Sequence, residues 1–408
     1  MTKAGEIGQG RRAAPRRPYQ QKACMHFEFA TATRIVFGAG ALNNTGKNLK
    51  VYGRRVLVVT GHQASRAEKL LADLQANGVG TVTFTVLGEP ELVTVEQGTK
   101  LAKAEQCEFV IGFGGGSALD AAKAIAAMVK NDGELLDYVE IIGRGQILKK
   151  RPAPFIAIPT TAGTGSEVTR NAVLASPEHK VKVSLRSPLM LAQVAVVDPE
   201  LTYDLPSALT ASTGLDALTQ LIEPYVCLRA NPMTDGLCAE GIRRAARSLR
   251  KAVANGKNKS AREDMAVASL FGGLALANAG LGAVHGFAGP IGGMFPAPHG
   301  AVCAALLPHV MATNIRALRE RDERSFALSR YYRTAQICTG NPNATADAGV
   351  DWVRKLVADL AIPALGVYGV REEHVATLIE KAENASSMKA NPITLTPDEL
   401  AETLRRAL

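Results

Sequence analysis

Over the first half of the chain, short apolar runs alternate with stretches whose apolar positions recur every three to four residues. Residues 55–60 (RVLVVT), 81–86 (TVTFTV), 109–113 (FVIGF), 155–158 (FIAI) and 194–197 (VAVV) read as strands. Between them, residues 65–77, 96–106 and 118–129 carry helical periodicity, and Gly78 closes the first of these helices. Strands alternating with helices at this spacing predict a parallel sheet covered by helices. The continuous apolar runs fit strands buried on both faces.

The pattern changes after about Pro199. From Pro206 onward the periodicity predicts long helices over residues 207–226, 232–254, 260–279, 300–318, 322–338, 344–360 and 371–385. The expected organisation is a basic extension over residues 1–24, a dinucleotide-binding α/β domain over 25–200 and an all-helical domain over 201–408. A length of 408 residues supports two or three such domains.

Composition narrows the function classes. Apolar residues make 47% and charged residues 21%, which excludes wholesale disorder. Aromatics are 5%, too sparse for a base-stacking nucleic-acid platform. No uninterrupted apolar stretch of about 18 residues predicts a membrane-spanning helix. Residues 1–24 carry Lys3, Arg11, Arg12, Arg16, Arg17 and Lys22 against Glu6, a net +5, so the remainder holds only +4 of the total +9. The basic segment is expected to be a disordered extension, with Met25 opening the folded chain; its Arg-rich, acid-poor character also fits a transit peptide. The six cysteines (Cys24, Cys107, Cys227, Cys238, Cys303, Cys338) form no CxxC pair. They signal neither a disulfide framework nor a zinc–thiolate site, and most read as small buried hydrophobes. A reducing, cytoplasmic setting is the default expectation.

Two turns carry candidate chemistry. Residues 112–123 (GFGGGSALDAAK) follow a strand and open a helix. Gly114, Gly115 and Gly116 let an anion approach the backbone amides, and Ser117 is placed to cap the helix and donate to a phosphate. Residues 159–168 (PTTAGTGSEV) form a second turn rich in Thr, Gly and Ser. Two such turns at strand ends point to a bound dinucleotide.

The second half offers a candidate metal site. Asp216 and Gln220 are four apart on one helix and share a face. His285 and His299 are separated by Pro290, Pro296 and Pro298, so the chain must turn between them. One carboxylate, two imidazoles and a side-chain amide oxygen suit Fe(II) or Zn(II). A single histidine in an apolar helix is more often a core residue, so the pattern counts only as a set.

Together these motifs resemble the iron-containing (group III) alcohol dehydrogenase family. The resemblance runs from about Phe27 to the C-terminus, through residues 37–40, 114–123, 159–167, 197–201, 214–219 and the His285–His299 segment. It implies a Rossmann-like parallel-sheet domain, an all-helical second domain and a site in the cleft between them. The implied activity is reversible hydride transfer between an alcohol and NAD or NADP, with Fe(II) or Zn(II) as Lewis acid. Matched positions give Gly114, Gly115, Gly116, Ser117 and Asp120 on the pyrophosphate turn, and Thr160, Thr161, Thr164 and Ser166 on the adjoining loop. Lys182 matches the lysine that reaches the cofactor ribose. Asp216, His285 and His299 match three metal ligands, with Gln220 at the fourth position.

Three positions depart from the pattern. Gln220 stands where members commonly have His, which weakens the fourth ligand. Gly289 stands where a further His commonly sits four residues after His285. Gly61 stands where NAD-using members carry Asp, which opens the site to NADP, with Ser65 and Arg66 nearby for its extra phosphate. The resemblance also implies small alcohols or aldehydes as substrates and a homo-oligomer. Alternatives are reduction of an acidic oxo compound, drawn by Arg170, Lys180, Lys182 and Arg186, or a non-catalytic NAD(P)-binding module.

Overall fold

The computed structural model describes residues 26–43 and 45–408; the expected extension over 1–24, with Cys24, lies outside the described residues. The chain order is β1 (Arg34–Phe37), α1 (Thr45–Leu49), β2 (Arg55–Thr60), α2 (Glu68–Ala76), β3 (Gly80–Thr85), α3 (Leu92–Ala104), β4 (Phe109–Gly114) and α4 (Gly116–Lys130). There follow β5 (Phe155–Pro159), the pair β6 (Asn171–Ser176) and β7 (Val181–Arg186), and β8 (Val194–Val197). Six strands form one parallel sheet in the order β1-β8-β5-β4-β2-β3, and β6 and β7 pair antiparallel beside it. The apolar strands of its middle are buried on both faces because helices cover both sides.

Two local features decide where a ligand sits. The chain passes from β2 outward to β3 and returns to β4 on the other side of β2. The carboxyl ends of β2 and β4 therefore flank a point where strand order reverses, the usual crevice for a ligand in an open α/β sheet. Register then aligns Gly114 with Pro159, and the Thr160 amide donates to the Gly114 carbonyl at 2.9 Å. The two turns singled out in the sequence are thus neighbours.

After β8 the chain is helical: α5 (Ser207–Val226), α6 (Pro232–Ala254), α7 (Lys259–Asn278), α8 (Ala283–Met294), α9 (His299–Arg321), α10 (Phe326–Thr339), α11 (Ala346–Asp359), α12 (Val375–Glu383) and α13 (Pro397–Ala407). α5 and α9 run through the centre of this half, and their apolar residues anchor one large core. α9 is long and apolar enough to cross a membrane, but most of its apolar stretch is buried within the fold, which accounts for its composition. The halves meet closely. Gly165 has φ +61°, and a Cβ on it would lie 2.4 Å from the Gly273 Cα of α7, so only glycine fits both the turn and the contact.

The sequence pattern missed β1, α1, β6, β7, α8 and α13. β1 has four residues, β6 buries only every second position, and β7 alternates apolar with polar positions, unlike the fully buried strands. α8 contains Pro290, which the proline count treated as a break, yet the helix continues to Met294.

Candidate active site

The cofactor side is built from three strand ends. α4 begins at Gly116 with Gly115 as its N-cap, and no side chain caps it. This corrects the expected capping role of Ser117, which lies one residue inside the helix. The first amides of α4 are consequently left for an anion. A Cβ on Gly115 would lie 3.3 Å from Thr161 Cγ2, and one on Gly116 only 2.8 Å from Thr164 Cγ2. Glycine therefore allows the two turns to close on each other. Gly61, at the end of β2, has its amide 3.3 Å from where a Cβ on Gly114 would stand, so it belongs to the same crevice.

Asp120 and Ser166 lie beneath these turns. Ser166 Oγ donates to Asp120 Oδ1 at 2.5 Å, and the Val173 amide donates to Asp120 Oδ2 at 3.0 Å. The buried Lys123 ammonium donates to Ser166 O, Ser166 Oγ, Thr169 Oγ1 and Asn171 O at 2.7–3.1 Å. Burial pulls the Lys123 pKa down, with Asp120 opposing. Glu167, in the same loop, is pushed up to about 7 by burial. Lys182, on β7, pairs with Glu89 at 2.7 Å and stands beside Gly292 of α8. Arg186 pairs with Glu140 at 3.1 Å, so two of the four basic groups considered for an acidic substrate already have acidic partners. Arg66 donates to the Leu201 carbonyl and burial lowers its pKa, which directs it inward, while Ser65 is exposed.

The metal side is built on α5, α8 and α9. α5 places Asp216, Gln220 and Glu223 on one buried face through their i, i+4, i+7 spacing. α8 carries His285, and His299 is the first residue of α9. His285 Nε2 lies 3.6 Å and His299 Nε2 3.7 Å from Asp216 Oδ1. These separations are too long for hydrogen bonds, and Asp216 Oδ1 is buried with no hydrogen-bond partner. The Gln220 amide oxygen is likewise buried without one. Cys303, one turn after His299, brings its sulfur 3.6 Å from His299 Nε2 and 3.8 Å from His285 Nε2. One donor atom from each of Asp216, His285, His299 and Cys303 fits within 4.8 Å.

Donor atoms held at ~2.0–2.3 Å by a tetrahedral ion stand ~3.3–3.8 Å apart. The four separations of 3.6–3.8 Å lie at the upper end of that range, and an orphaned carboxylate oxygen faces two imidazole nitrogens. The residues present therefore fit a divalent ion. The four groups also act on one another's charge. Burial would raise Asp216, but His299 and His285 outweigh it and hold its carboxyl below the ordinary range. Burial would lower His285, yet Cys303 and Asp216 raise it well above the ordinary imidazole value; His299 is raised chiefly by Cys303. Burial would raise the Cys303 thiol, but the two imidazoles bring it down. The positive charge that holds both acidic groups down comes from the two imidazoles themselves; a bound dication would take that place and leave both rings neutral.

Glu223 and Cys303 were not singled out in the sequence. Glu223 Oε2 lies 2.6 Å from His285 Nδ1, and its Oε1 accepts from the Val284 amide at 2.7 Å. That leaves His285 Nε2 as the nitrogen facing Asp216. The signal was present in the helical spacing from Asp216. For Cys303 the signal was its i+4 position after His299, and its apolar flanks hid it. The cysteine pattern signals no zinc–thiolate site, yet folding sets the Cys303 sulfur within the group of candidate donor atoms. The five described cysteines are free and buried.

The two sides are joined. A Cβ on Gly163 of the second turn would touch Thr213 Cβ at 2.7 Å, one helical turn before Asp216. Gly289 of α8 has open space where a Cβ would point.

Comparison with known proteins places this arrangement among relatives. The family description "Iron-containing alcohol dehydrogenase" matches residues 32–199, and its C-terminal counterpart matches residues 210–408. The long-chain-alcohol dehydrogenase 1 of Geobacillus thermodenitrificans is 38% identical over 383 residues, covering 90% of this chain and 94% of that protein. The crystal structure of a 1,3-propanediol oxidoreductase superposes with a TM-score of 0.87 at 34% identity, covering 94% of this chain and all of that one. The sulfoacetaldehyde reductase of Bifidobacterium kashiwanohense, solved in complex with NAD+, matches with a TM-score of 0.83 at 29% identity, over 94% of this chain and 99% of that one.

Proposed function

Because the chain belongs to the iron-containing alcohol dehydrogenase family and is a nicotinamide-dependent oxidoreductase of alcohols, we propose that Asp216, His285 and His299 hold its divalent metal. On the same reading, Gly114, Gly115, Gly116, Ser117, Thr160, Thr161 and Thr164 hold the dinucleotide. When bound, the cation draws electron density from the alcohol or carbonyl oxygen while the nicotinamide carries the hydride. The observation that supports the reading most strongly is the buried Asp216 oxygen, without a hydrogen bond, facing two imidazole nitrogens at 3.6 and 3.7 Å.

The remaining residues position these parts. The open N-terminus of α4 accepts the pyrophosphate, and the Thr/Gly loop rests on α5 at Thr213, so one helix spaces cofactor and ion. Asp120, Ser166 and the Lys123 ammonium brace that loop from below. Lys182, held by Glu89, is the residue this reading assigns to the ribose. Glu223 orients His285. Gly289 leaves room for water to take the alcohol proton. Gly61 places no carboxylate at the end of β2, which supports use of NADP as well as NAD. Primary alcohols are the proposed substrate class, in keeping with the long-chain alcohol and 1,3-propanediol named for two relatives.

The test is removal and return of metal. Chelated protein should lose reduction of a straight-chain aldehyde by NAD(P)H, and Fe(II) or Zn(II) should restore it. Equal rates before and after chelation, with metal removal verified, would contradict the Lewis-acid role.

A further inference from the structure

We propose that the Cys303 thiolate is the fourth protein ligand of the divalent ion, completing an Asp216–His285–His299–Cys303 set. The inference rests on the metal reading above and adds to it a ligand that the common pattern of the family does not include.

Position is the first argument. His299 and Cys303 are four apart on α9, so both side chains leave the same face of one helix. The Cys303 sulfur stands 3.6 and 3.8 Å from the two imidazole Nε2 atoms, about the distance at which those nitrogens stand from Asp216 Oδ1. A sulfur that only filled core volume would have no reason to join the one compact group of donor atoms found among the described residues.

Replacement is the second. α5 offers Gln220 where an imidazole commonly completes the set, and a neutral amide oxygen is a poor substitute. α9 compensates from the opposite side with a sulfur that is fully buried. Charge is the third. One carboxylate and one thiolate cancel a dication, with both imidazoles neutral, so the ion and its four ligands together carry no net charge, and the buried Glu223 carboxylate beside His285 remains as a charge next to them. Binding is balanced by proton release: the thiol and any protonated imidazole give their protons to water as the metal–sulfur and metal–nitrogen bonds form. A sulfur donor also shifts the preference of the site towards Zn(II), Fe(II) and Co(II) and away from Mg(II) and Mn(II).

The experiment uses the full chain, stripped with chelator and reloaded anaerobically with Co(II). Cobalt bound at one ion per chain should show a sulfur-to-cobalt charge-transfer band in the near ultraviolet. Cys303→Ser should keep the fold, lose the band and bind Zn(II) more than about tenfold more weakly. X-ray absorption of the Zn(II) form should show one sulfur scatterer at ~2.3 Å in the wild type and none in the variant. Bound cobalt without the band, or a band that survives Cys303→Ser, overturns the Cys303 assignment and leaves the metal centre standing. Folded protein that binds no cobalt overturns both.

Discussion

Glu223 Oε2 sits 2.6 Å from Nδ1 of His285, while the other Glu223 oxygen is tied to the Val284 amide at 2.7 Å. The carboxylate is therefore held at both oxygens and cannot turn away from the ring. It fixes which imidazole nitrogen faces Asp216 and raises the basicity of that nitrogen. Glu223→Gln keeps the shape and removes the charge. Its expected effect is a loss of metal affinity of about 10–100-fold with the fold retained, measured by competition against a chromophoric chelator. Unchanged affinity would show that Glu223 has no part in holding the ligand.

The cofactor loop depends on Lys123 in a comparable way. Its buried ammonium gathers acceptors from Ser166, Thr169 and Asn171, which joins α4, the loop and β6. Lys123→Met leaves those oxygens and Asp120 uncompensated. We expect a loss of about 3–5 kcal/mol in stability and weaker NAD(P)H binding. Urea unfolding and a fluorescence titration of NADH check the two effects, and a variant with wild-type stability would refute the bracing role.

Glu167 predicts a pH dependence. Its folded pKa is about 7, raised by burial from an ordinary 4.5. Below pH 4.5 the group is neutral in both the folded and unfolded states. As pH rises from 4.5 towards 7 the unfolded chain ionises and the folded chain does not, so stability falls and then levels off above 7. The shift corresponds to a loss on the order of 3 kcal/mol. Glu167→Gln should remove that slope. Urea midpoints of both proteins at pH 5 and pH 7.5 give the comparison, and parallel losses in the two would refute it.

Gly61 sets the cofactor preference in this account. Its missing Cβ faces open space, so Gly61→Asp needs no repacking. The added carboxylate should repel a 2′-phosphate and lower NADP use relative to NAD by about tenfold or more, which corresponds to ~1.4 kcal/mol. The ratio of kcat/KM for the two cofactors measures it; an unchanged ratio would mean that the ribose lies elsewhere.

Much of this architecture was legible in the sequence because its physics is local. Buried strands show as unbroken apolar runs, and α5 and α6 have the bounds that their periodicity predicts. Asp216, His285 and His299 could be named beforehand because they match ligand positions of the family the motifs resemble; their spacing, with Pro296 and Pro298 after α8, was only compatible with a shared site. Cys303 could not, because its surroundings in sequence are those of a core residue and only folding sets its sulfur beside two imidazoles. α13 was overlooked despite an explicit start signal, Thr396 and Glu399 forming a reciprocal cap with Pro397 at the first helical position. The inward turn of Arg66 to the Leu201 carbonyl joins residues 135 positions apart and left no local trace.

The most direct test of the central claim is anomalous diffraction from crystals of the metal-loaded protein, recorded on both sides of the iron or zinc edge. The account predicts one strong peak per chain, within ~2.0–2.3 Å of Asp216 Oδ1, His285 Nε2 and His299 Nε2 together. A peak away from these three atoms, or loaded crystals with none, would contradict it.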